Sequence, residues 1–320
     1  MKRNLIFSFI ILSILKAQTS IISGFVSDSS SGESLIGANV FLRETGQGMA
    51  TDINGYYIIQ DIVSGNYTIM VSYIGFDMFK QKTTLGDNES KKININLVEQ
   101  LVQLTEIEVT AEKLQRRNNI QPSKINLSPR MMKAAPALAE PDLFRTIQAL
   151  PGVLTTSEFS TGLVIRGGNT DQNLIMLDGI TVYNPSHLGG LFSNFIVDGV
   201  KEAELIKGAY NAEYGGRLSA VLNITSREGN KNKFKGKMNL SLLSAQTTLE
   251  GPFYKGAWVL SGRRTYFDLV LPKVLPDNIS ENIPPYYFYD IQSHIFSDIT
   301  SKDRISFSYY SGIAVLEIEK

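Results

Sequence analysis

From Phe234 onward the chain alternates apolar and polar residues with a period of two, which restricts the fold more than any other feature of the sequence. Successive side chains of a β-strand point to opposite faces, so this alternation predicts strands with one apolar and one polar face. The positions on the predicted apolar face are Phe234, Gly236, Met238, Leu240, Leu242, Ala245, Thr247, Leu249, Trp258, Leu260, Tyr287, Tyr289, Ile291, Ile295, Ile305, Phe307, Tyr309, Ile313 and Val315. Aromatic residues near the strand ends are typical of a transmembrane β-barrel, although a soluble antiparallel sheet has the same alternation.

The number of these strands sets a further expectation. The alternating runs predict about five strands after Arg227, whereas bacterial single-chain barrels close with an even number of eight or more. We therefore expect residues 231–320 to form the start of an antiparallel transmembrane β-barrel, incomplete within these 320 residues and belonging to a longer chain.

Short apolar runs that end at glycines characterise the preceding stretch, Leu163 to Arg227. The runs are Leu174 to Leu177, Ala203 to Ile206 and Ala220 to Ile224. Asp142 to Leu150 carries apolar residues at helical spacing between Pro141 and Pro151-Gly152, which predicts a short helix. Residues 129–230 are therefore expected to form a compact α+β domain.

This domain resembles the plug domain of TonB-dependent outer-membrane receptors. The residues that carry the resemblance are Ile165-Arg166-Gly167-Gly168, Leu177-Asp178-Gly179, Glu204-Leu205-Ile206-Lys207-Gly208, Tyr214-Gly215-Gly216 and Val221-Leu222-Asn223-Ile224-Thr225-Ser226. The resemblance implies a plug that fills a large barrel, and a protein that is not an enzyme.

The N-terminus has the features of an export signal. Residues 1–17 combine Lys2 and Arg3 with an apolar run from Leu5 to Leu15 and a small residue, Ala17. Cysteine is absent, which excludes disulfides, thiolate metal sites and a cysteine nucleophile. The formal net charge is zero, so we expect no nucleic-acid partner, and two histidines, His187 and His294, are too few for a histidine-based metal site.

Residues 19–98 contain short alternating strands separated by turn signals, a pattern that predicts an all-β sandwich. The segment resembles the carboxypeptidase regulatory-like domain, which is a non-catalytic module. The match lies in Gly24-Phe25-Val26, Leu35-Ile36-Gly37-Ala38-Asn39-Val40, Thr51-Asp52-Ile53-Asn54-Gly55-Tyr56-Tyr57, Gly65-Asn66-Tyr67 and Val71-Ser72-Tyr73-Ile74-Gly75-Phe76. We expect no cofactor in this module or in the rest of the chain.

Residues 99–128 are polar and predict a linker, within which one piece favours extended structure. In this piece Ile107 and Val109 alternate with Glu106, Glu108 and Thr110. An exposed strand of this kind can add to the sheet edge of a partner protein. The piece resembles a TonB box, which implies that Glu106 to Thr110 contact TonB; the alternative is a linker strand that packs on its own domain.

Two groups of residues in the predicted plug are candidate sites. Arg166, Glu204, Lys207 and Arg217 are charges within apolar segments. Since buried charges need partners, we predict that they pair with the barrel lumen in a reversible plug-to-wall contact.

The second group lies in a polar and aromatic loop that follows Thr181. Here Tyr183, Asn184 and His187 would contact a solute if the loop is apical. The alternative is a loop that only packs against the barrel wall.

Taken together, the sequence predicts a mainly β protein that acts as a TonB-dependent receptor and takes up a scarce solute, such as a siderophore or glycan, into the periplasm. The implied location is the outer membrane, with the N-terminal domain and the box in the periplasm. The implied partners are TonB, outer-membrane lipid, a small solute and, in some receptors of this type, a surface lipoprotein. The alternative is a secreted or surface-attached binding module without transport activity.

Overall fold

A computed structural model of the chain describes residues 19–100, 123–135, 140–157, 160–187, 190–241, 243–274, 276, 285–300 and 303–316. The chain divides into two compact units, residues 1–120 and residues 121–320. The predicted signal, residues 1–17, and the predicted TonB-contacting strand, Glu106 to Thr110, lie outside the described residues and stay predictions.

Two four-stranded sheets enclose the core of the first unit, as the sequence predicts. Its strands are β1 (Thr19–Asp28), β2 (Asn39–Leu42), β3 (Gly48–Ala50), β4 (Tyr56–Val63), β5 (Gly65–Ser72), β6 (Phe79–Leu85), β7 (Ser90–Lys92) and β8 (Ile95–Leu97). In one sheet β1 pairs with β4, β7 and β8; the other has the order β3-β2-β5-β6. Tyr57 is fully buried in the core between them, and its hydroxyl donates to the carbonyl of Ile93 at 2.8 Å.

The second unit begins with a central α+β domain. Its elements are β9 (Lys124–Leu127), α1 (Pro129–Ala134), α2 (Leu143–Gln148), β10 (Val153–Leu154), β11 (Val164–Ile165), β12 (Leu174–Leu177), β13 (Ile180–Thr181), β14 (Ser186–His187), β15 (Phe192–Ser193), β16 (Val200–Ile206) and β17 (Val221–Ser226). Five strands form a mixed sheet in the order β13-β12-β17-β16-β9, in which β12 and β17 are parallel. The predicted apolar runs thus become adjacent strands of one sheet.

Local sequence signals account for the helix and the turn that shape this domain. The Asp142 carboxylate caps α2 by accepting from the backbone N–H groups of Phe144 and Arg145 at 2.8 and 3.0 Å. Between β12 and β13, Asp178 and Gly179 have φ values of 50° and 81°. Two successive positive φ values are those of a type I′ hairpin turn, which the Asp-Gly pair favours.

The boundary between the linker and the central domain differs from the sequence prediction. Residues 99–128 were expected to be linker, but β9 lies within that range and pairs antiparallel with β16 as an edge strand of the central sheet. Ser128 then caps α1. A strand of four residues is too short for an alternating pattern to distinguish it from a loop. This strand forms because its backbone pairs with β16, a contact that its own sequence does not reveal.

Five antiparallel strands follow the central domain in consecutive order among the described residues. They are β18 (Lys235–Leu240), β19 (Ser244–Phe253), β20 (Gly256–Thr265), β21 (Tyr286–Asp298) and β22 (Arg304–Leu316), with helix α3 (Phe267–Val274) between β20 and β21. The number of strands and the position of the turn near Leu243 agree with the prediction. In the part of the chain that the structure describes, no helix combines the length and apolar character needed to cross a bilayer.

The two faces of this sheet differ as the alternation predicts. The exposed face carries Met238, Leu240, Leu260, Tyr289, Ile291, Ile305, Phe307, Tyr309 and Ile313. The opposite face is largely polar and is buried against the central domain through Ser244, Gln246, Thr248, Glu250, Ser261, Arg263, Thr265, Asp290 and Gln292. The central domain is therefore seated on a polar surface whose reverse side is apolar.

Candidate functional site: the contact between the central domain and the C-terminal sheet

Arg263 of β20 is the centre of this contact. Its Nε and Nη2 atoms donate to Asp290 Oδ2 of β21 at 2.9 and 2.5 Å. Its Nη1 donates to Glu140 Oε1 at 2.5 Å and its Nη2 to the carbonyl of Ser193 at 2.5 Å, both in the central domain. The Arg263 side chain is 1% exposed, so this guanidinium joins the two parts of the unit away from water.

The second oxygen of Glu140 is also occupied. Glu140 Oε2 accepts from Gln246 Nε2 at 2.6 Å and from the hydroxyl of Ser244, both on β19. Glu140 thus contacts two strands of the sheet at once, and hydrogen bonds to both of its oxygens offset the cost of burying its charge.

His187, the last residue of β14, adds a contact. Its Nε2 lies 2.6 Å from Asp290 Oδ1, and its ring stacks on Phe288 at 4.2 Å between centroids. His187 is 5% exposed. It therefore belongs to the buried contact with the sheet.

Asp198 forms a second ionic contact, in the 3-10 turn Val197–Gly199 that precedes β16. Its carboxylate accepts from Lys237 Nζ at 2.9 Å and from Asn239 Nδ2 at 2.5 Å, and lies 2.5 Å from Lys133 Nζ. Burial alone would raise the pKa of Asp198, but the two lysines outweigh it and lower the pKa. The carboxylate is therefore held in its charged form between α1 and β18.

Asp178 places the β12–β13 turn against the sheet. Its carboxylate accepts from the backbone N–H of Ser226 at 2.8 Å and from the hydroxyl of Ser308 at 2.7 Å, and lies 3.7 Å from His294 Nδ1. Burial would raise the pKa of Asp178, but His294 and these hydrogen bonds lower it. At the far end of β17, Arg227 pairs with Glu250 at 2.6 Å.

Two of the four predicted contact residues have partners inside the central domain. Glu204 pairs with Lys124 of β9, and Lys207 Nζ donates to the carbonyl of Pro151 at 2.7 Å. Each side chain is therefore satisfied without the C-terminal sheet.

Of the other two, Arg166 is exposed and Arg217 is half-buried. Arg166 is exposed in a turn with a φ of 49°, and Arg217 donates to the carbonyl of Gly216 at 3.2 Å. No contact between these four residues and the sheet is present among the described ranges, and their pairing with a barrel wall stays a prediction.

The predicted solute-contacting loop borders a cavity of about 980 Å³. The cavity is lined by residues of the central domain and of β21 and β22, which include Leu177, Ile180, Tyr183, Asn184, His187, Asn194, Tyr286, Tyr310 and Leu316. Tyr183 is 83% exposed there, in contrast to the buried His187. The structure thus brings the three predicted residues to one cavity, with Tyr183 at its open side.

The residues that hold the contact together were not selected from the sequence. Arg263 and Asp290 occupy polar-face positions of alternating strands, and a charge at such a position is a signal for an inward-facing ion pair. Glu140 and Asp198 give no comparable signal, since their partners are 123 and 39 residues away. The arrangement holds two surfaces together through charged hydrogen bonds. Among the described residues no group of three or more His, Asp or Glu side chains could hold a metal ion.

Comparison with known proteins finds matches to two family models in this chain. Residues 22–109 match the CarboxypepD_reg-like domain, and residues 127–221 match the TonB-dependent Receptor Plug Domain. The second range covers most of the central domain, including the turn at Asp178 and the residues Asp198 and His187.

Two curated relatives are TonB-dependent receptors from Formosa agariphila. TonB-dependent receptor P26 is 30% identical over 224 residues, which are 65% of this chain and 21% of that protein. TonB-dependent receptor P3 is 25% identical over 256 residues, which are 75% of this chain and 24% of that protein. The chain thus spans less than a quarter of the length of these relatives.

Solved structures that match part of this chain include the siderophore receptor PirA from Pseudomonas aeruginosa. It has a TM-score of 0.43 and 19% identity, and the match covers 61% of this chain and 36% of that one. The ferric enterobactin receptor PfeA of the same organism has a TM-score of 0.45 and 19% identity, over 61% of this chain and 33% of that one.

Proposed function

This chain belongs to the family of TonB-dependent receptors, which are non-enzymatic proteins of the outer membrane, and we propose that it serves the uptake of a scarce solute into the periplasm. The observation that carries the proposal is a plug domain seated by ion pairs on the polar face of strands whose reverse face is apolar. A plug held in this way closes the lumen and can be displaced when energy is supplied. We propose that TonB supplies it by pairing with residues 106–110.

The connections between strands support an orientation in the membrane. The longest one, residues 266–285, lies at the end of the sheet where β21 begins and β22 ends. The opposite end has short turns at Tyr254-Lys255 and at residues 299–303. Outer-membrane barrels have short periplasmic turns and longer extracellular loops, so the end with the long connection faces outward. The N-terminal domain and residues 106–110 then belong to the periplasm.

The cavity beside Tyr183 lies at this outward end, because Tyr286 and Leu316 line it. We propose that Tyr183 and Asn184 contact the solute there, while His187 holds the loop on the wall through Asp290. Siderophores and glycans are both compatible with a cavity lined by tyrosine and asparagine. A surface lipoprotein would be a further partner at this end.

The substitution Tyr183→Ala in the full-length receptor should weaken solute binding about tenfold, roughly 1.4 kcal/mol, because an exposed aromatic side chain at the cavity mouth supplies contact area. Equilibrium binding of the transported solute to the purified receptor measures this. Tyr254→Ala is the matched control, since Tyr254 is also 83% exposed but lies at the opposite end of the sheet. Equal affinity losses in both variants would remove Tyr183 from the solute site.

Membrane fractionation tests the proposed function as a whole. The full-length protein should sediment with outer membranes and support solute uptake that stops when TonB is deleted. A secreted or surface-attached binding module would instead be released to the soluble fraction or bind without uptake. Recovery of the protein in the soluble fraction, with no TonB-dependent uptake, would contradict the proposal.

A further inference from the structure

A cleft of about 930 Å³ opens beside β6 in the N-terminal sandwich. Its lining includes Asn66, Thr68, Lys82, Thr84, Lys91, Lys92 and Asn94. Strand β6 ends its sheet in the order β3-β2-β5-β6, so no strand pairs with its outer edge in the described part of the chain. At the end of this edge the Lys91 Nζ donates to the carbonyl of Thr84 at 2.8 Å, and the rest of the edge stays available. An open edge of this kind is a template for an additional strand.

The exposed side of this edge is basic. Lys80 and Lys82 are exposed on one face of β6, and Lys91 and Lys92 lie across the cleft. The carboxylate of the cleft residue Glu44 already accepts the backbone N–H of Thr68 at 2.8 Å. An occupant with acids at every second position would therefore match the cleft.

The segment Leu104 to Thr110 has that pattern and lies within reach. Glu106 and Glu108 alternate with Ile107 and Val109. The N–H of Gln100 donates to the carbonyl of Gly75 at 2.9 Å, which places the chain close to the start of β6 at Phe79. The six residues from Gln100 to Glu106 can span about 20 Å when extended.

The extent of the family match also indicates that the acidic segment belongs with the sandwich. The match to the CarboxypepD_reg-like domain runs to residue 109, whereas the last strand of the sandwich, β8, ends at Leu97. The matched domain therefore includes the acidic segment and does not stop at the sandwich.

We propose that residues 104–110 dock on the sandwich as an added strand along β6, with Glu106 and Glu108 on the face of Lys80 and Lys82. The strand runs parallel to β6, because it starts close to the first residue of β6. A backbone engaged in this ladder is not available to another sheet edge. The docked state therefore withholds the segment from TonB, a consequence that rests on the proposed function, whereas the docking itself does not.

Because the sequence contains no cysteine, a pair of introduced thiols reports the docking directly. The full-length receptor in outer-membrane vesicles would carry Thr110→Cys with Thr84→Cys, which keeps every charge in place. A bis-thiol reagent that bridges about 8 Å reaches direct and diagonal neighbours on adjacent strands. The control pair is Thr110→Cys with Gln47→Cys, because Gln47 lies beside β3 at the opposite edge of the same sheet.

Crosslinking of the Thr84 pair should exceed that of the Gln47 pair at least fivefold. The added substitutions Lys80→Glu and Lys82→Glu should lower it several-fold, with unchanged circular dichroism. Equal yields at the two edges, or a yield indifferent to these charges, would overturn the proposal. These vesicles contain no TonB, so failure here refutes docking alone, whereas failure of TonB-dependent uptake refutes the proposed function alone.

Discussion

The substitution Arg263→Ala in the full-length receptor should destabilise the seating of the plug by about 3–5 kcal/mol, because it leaves buried carboxylates without their cation. Glu140 and Asp290 each lose their ion pair with the guanidinium, and Ser193 loses a donor to its carbonyl. Thermal unfolding and hydrogen exchange of residues 140–150, measured on the purified receptor, report the loss.

Arg264→Ala is the matched control for this experiment. Arg264 is the next residue, its side chain is 45% exposed, and it pairs with Asp268 four residues away at 2.9 Å. An exposed pair of this kind contributes at most about 1 kcal/mol. Similar losses in both variants would show that Arg263 does not hold the plug.

A neutral replacement separates charge from packing. The triple variant Arg263→Met, Glu140→Gln and Asp290→Asn removes the ionic charges together, and should recover much of the stability lost in Arg263→Ala, because replacing a whole buried ion network is far less costly than breaking it. No recovery would indicate that geometry and not charge dominates the contact.

The substitution Ile107→Pro in the full-length receptor should abolish uptake, because proline removes a backbone donor and disfavours pairing with a partner strand. Solute binding should survive, since residue 107 precedes the plug-domain match, which begins at residue 127. Energised uptake of labelled solute into whole cells, with binding to isolated membranes alongside, separates the two effects.

Asn118→Pro is the control, because it places the same residue in the same predicted linker, eight positions after Thr110. It should leave uptake close to that of the unmodified receptor. If uptake persists with proline at both Ile107 and Val109, residues 106–110 are not the segment that TonB engages.

Features that depend on neighbouring residues could be predicted from the sequence. The Asp178-Gly179 pair predicts a turn and forms one with two positive φ values, and Asp142 caps the predicted helix. The alternation around Leu260 and Ile291 predicts their exposure on the apolar face. In each case the cause lies within a few residues of the effect, so the pattern is visible in a single sequence.

Features that depend on distant pairing could not be predicted in the same way. The four-residue strand β9 exists because β16 pairs with it, and nothing within Lys124 to Leu127 requires a strand. Lys207 was predicted to pair with the barrel wall because it is a charge within an apolar run. Its amine instead donates to the carbonyl of Pro151 in the same domain. Arg263, the partner of Glu140, is 123 residues away along the chain, and a single sequence does not show that the two residues are in contact.

The polar face that receives the plug also determines what happens when the two separate. The groups involved, such as Arg263, Glu140 and Gln246, exchange protein hydrogen bonds for water, with a small net change in free energy per bond. Separation would also expose the aromatic contacts of Phe288 with His187 and Phe192, and of Tyr310 with Phe195. We therefore expect it to have a positive change in heat capacity, because apolar area becomes hydrated.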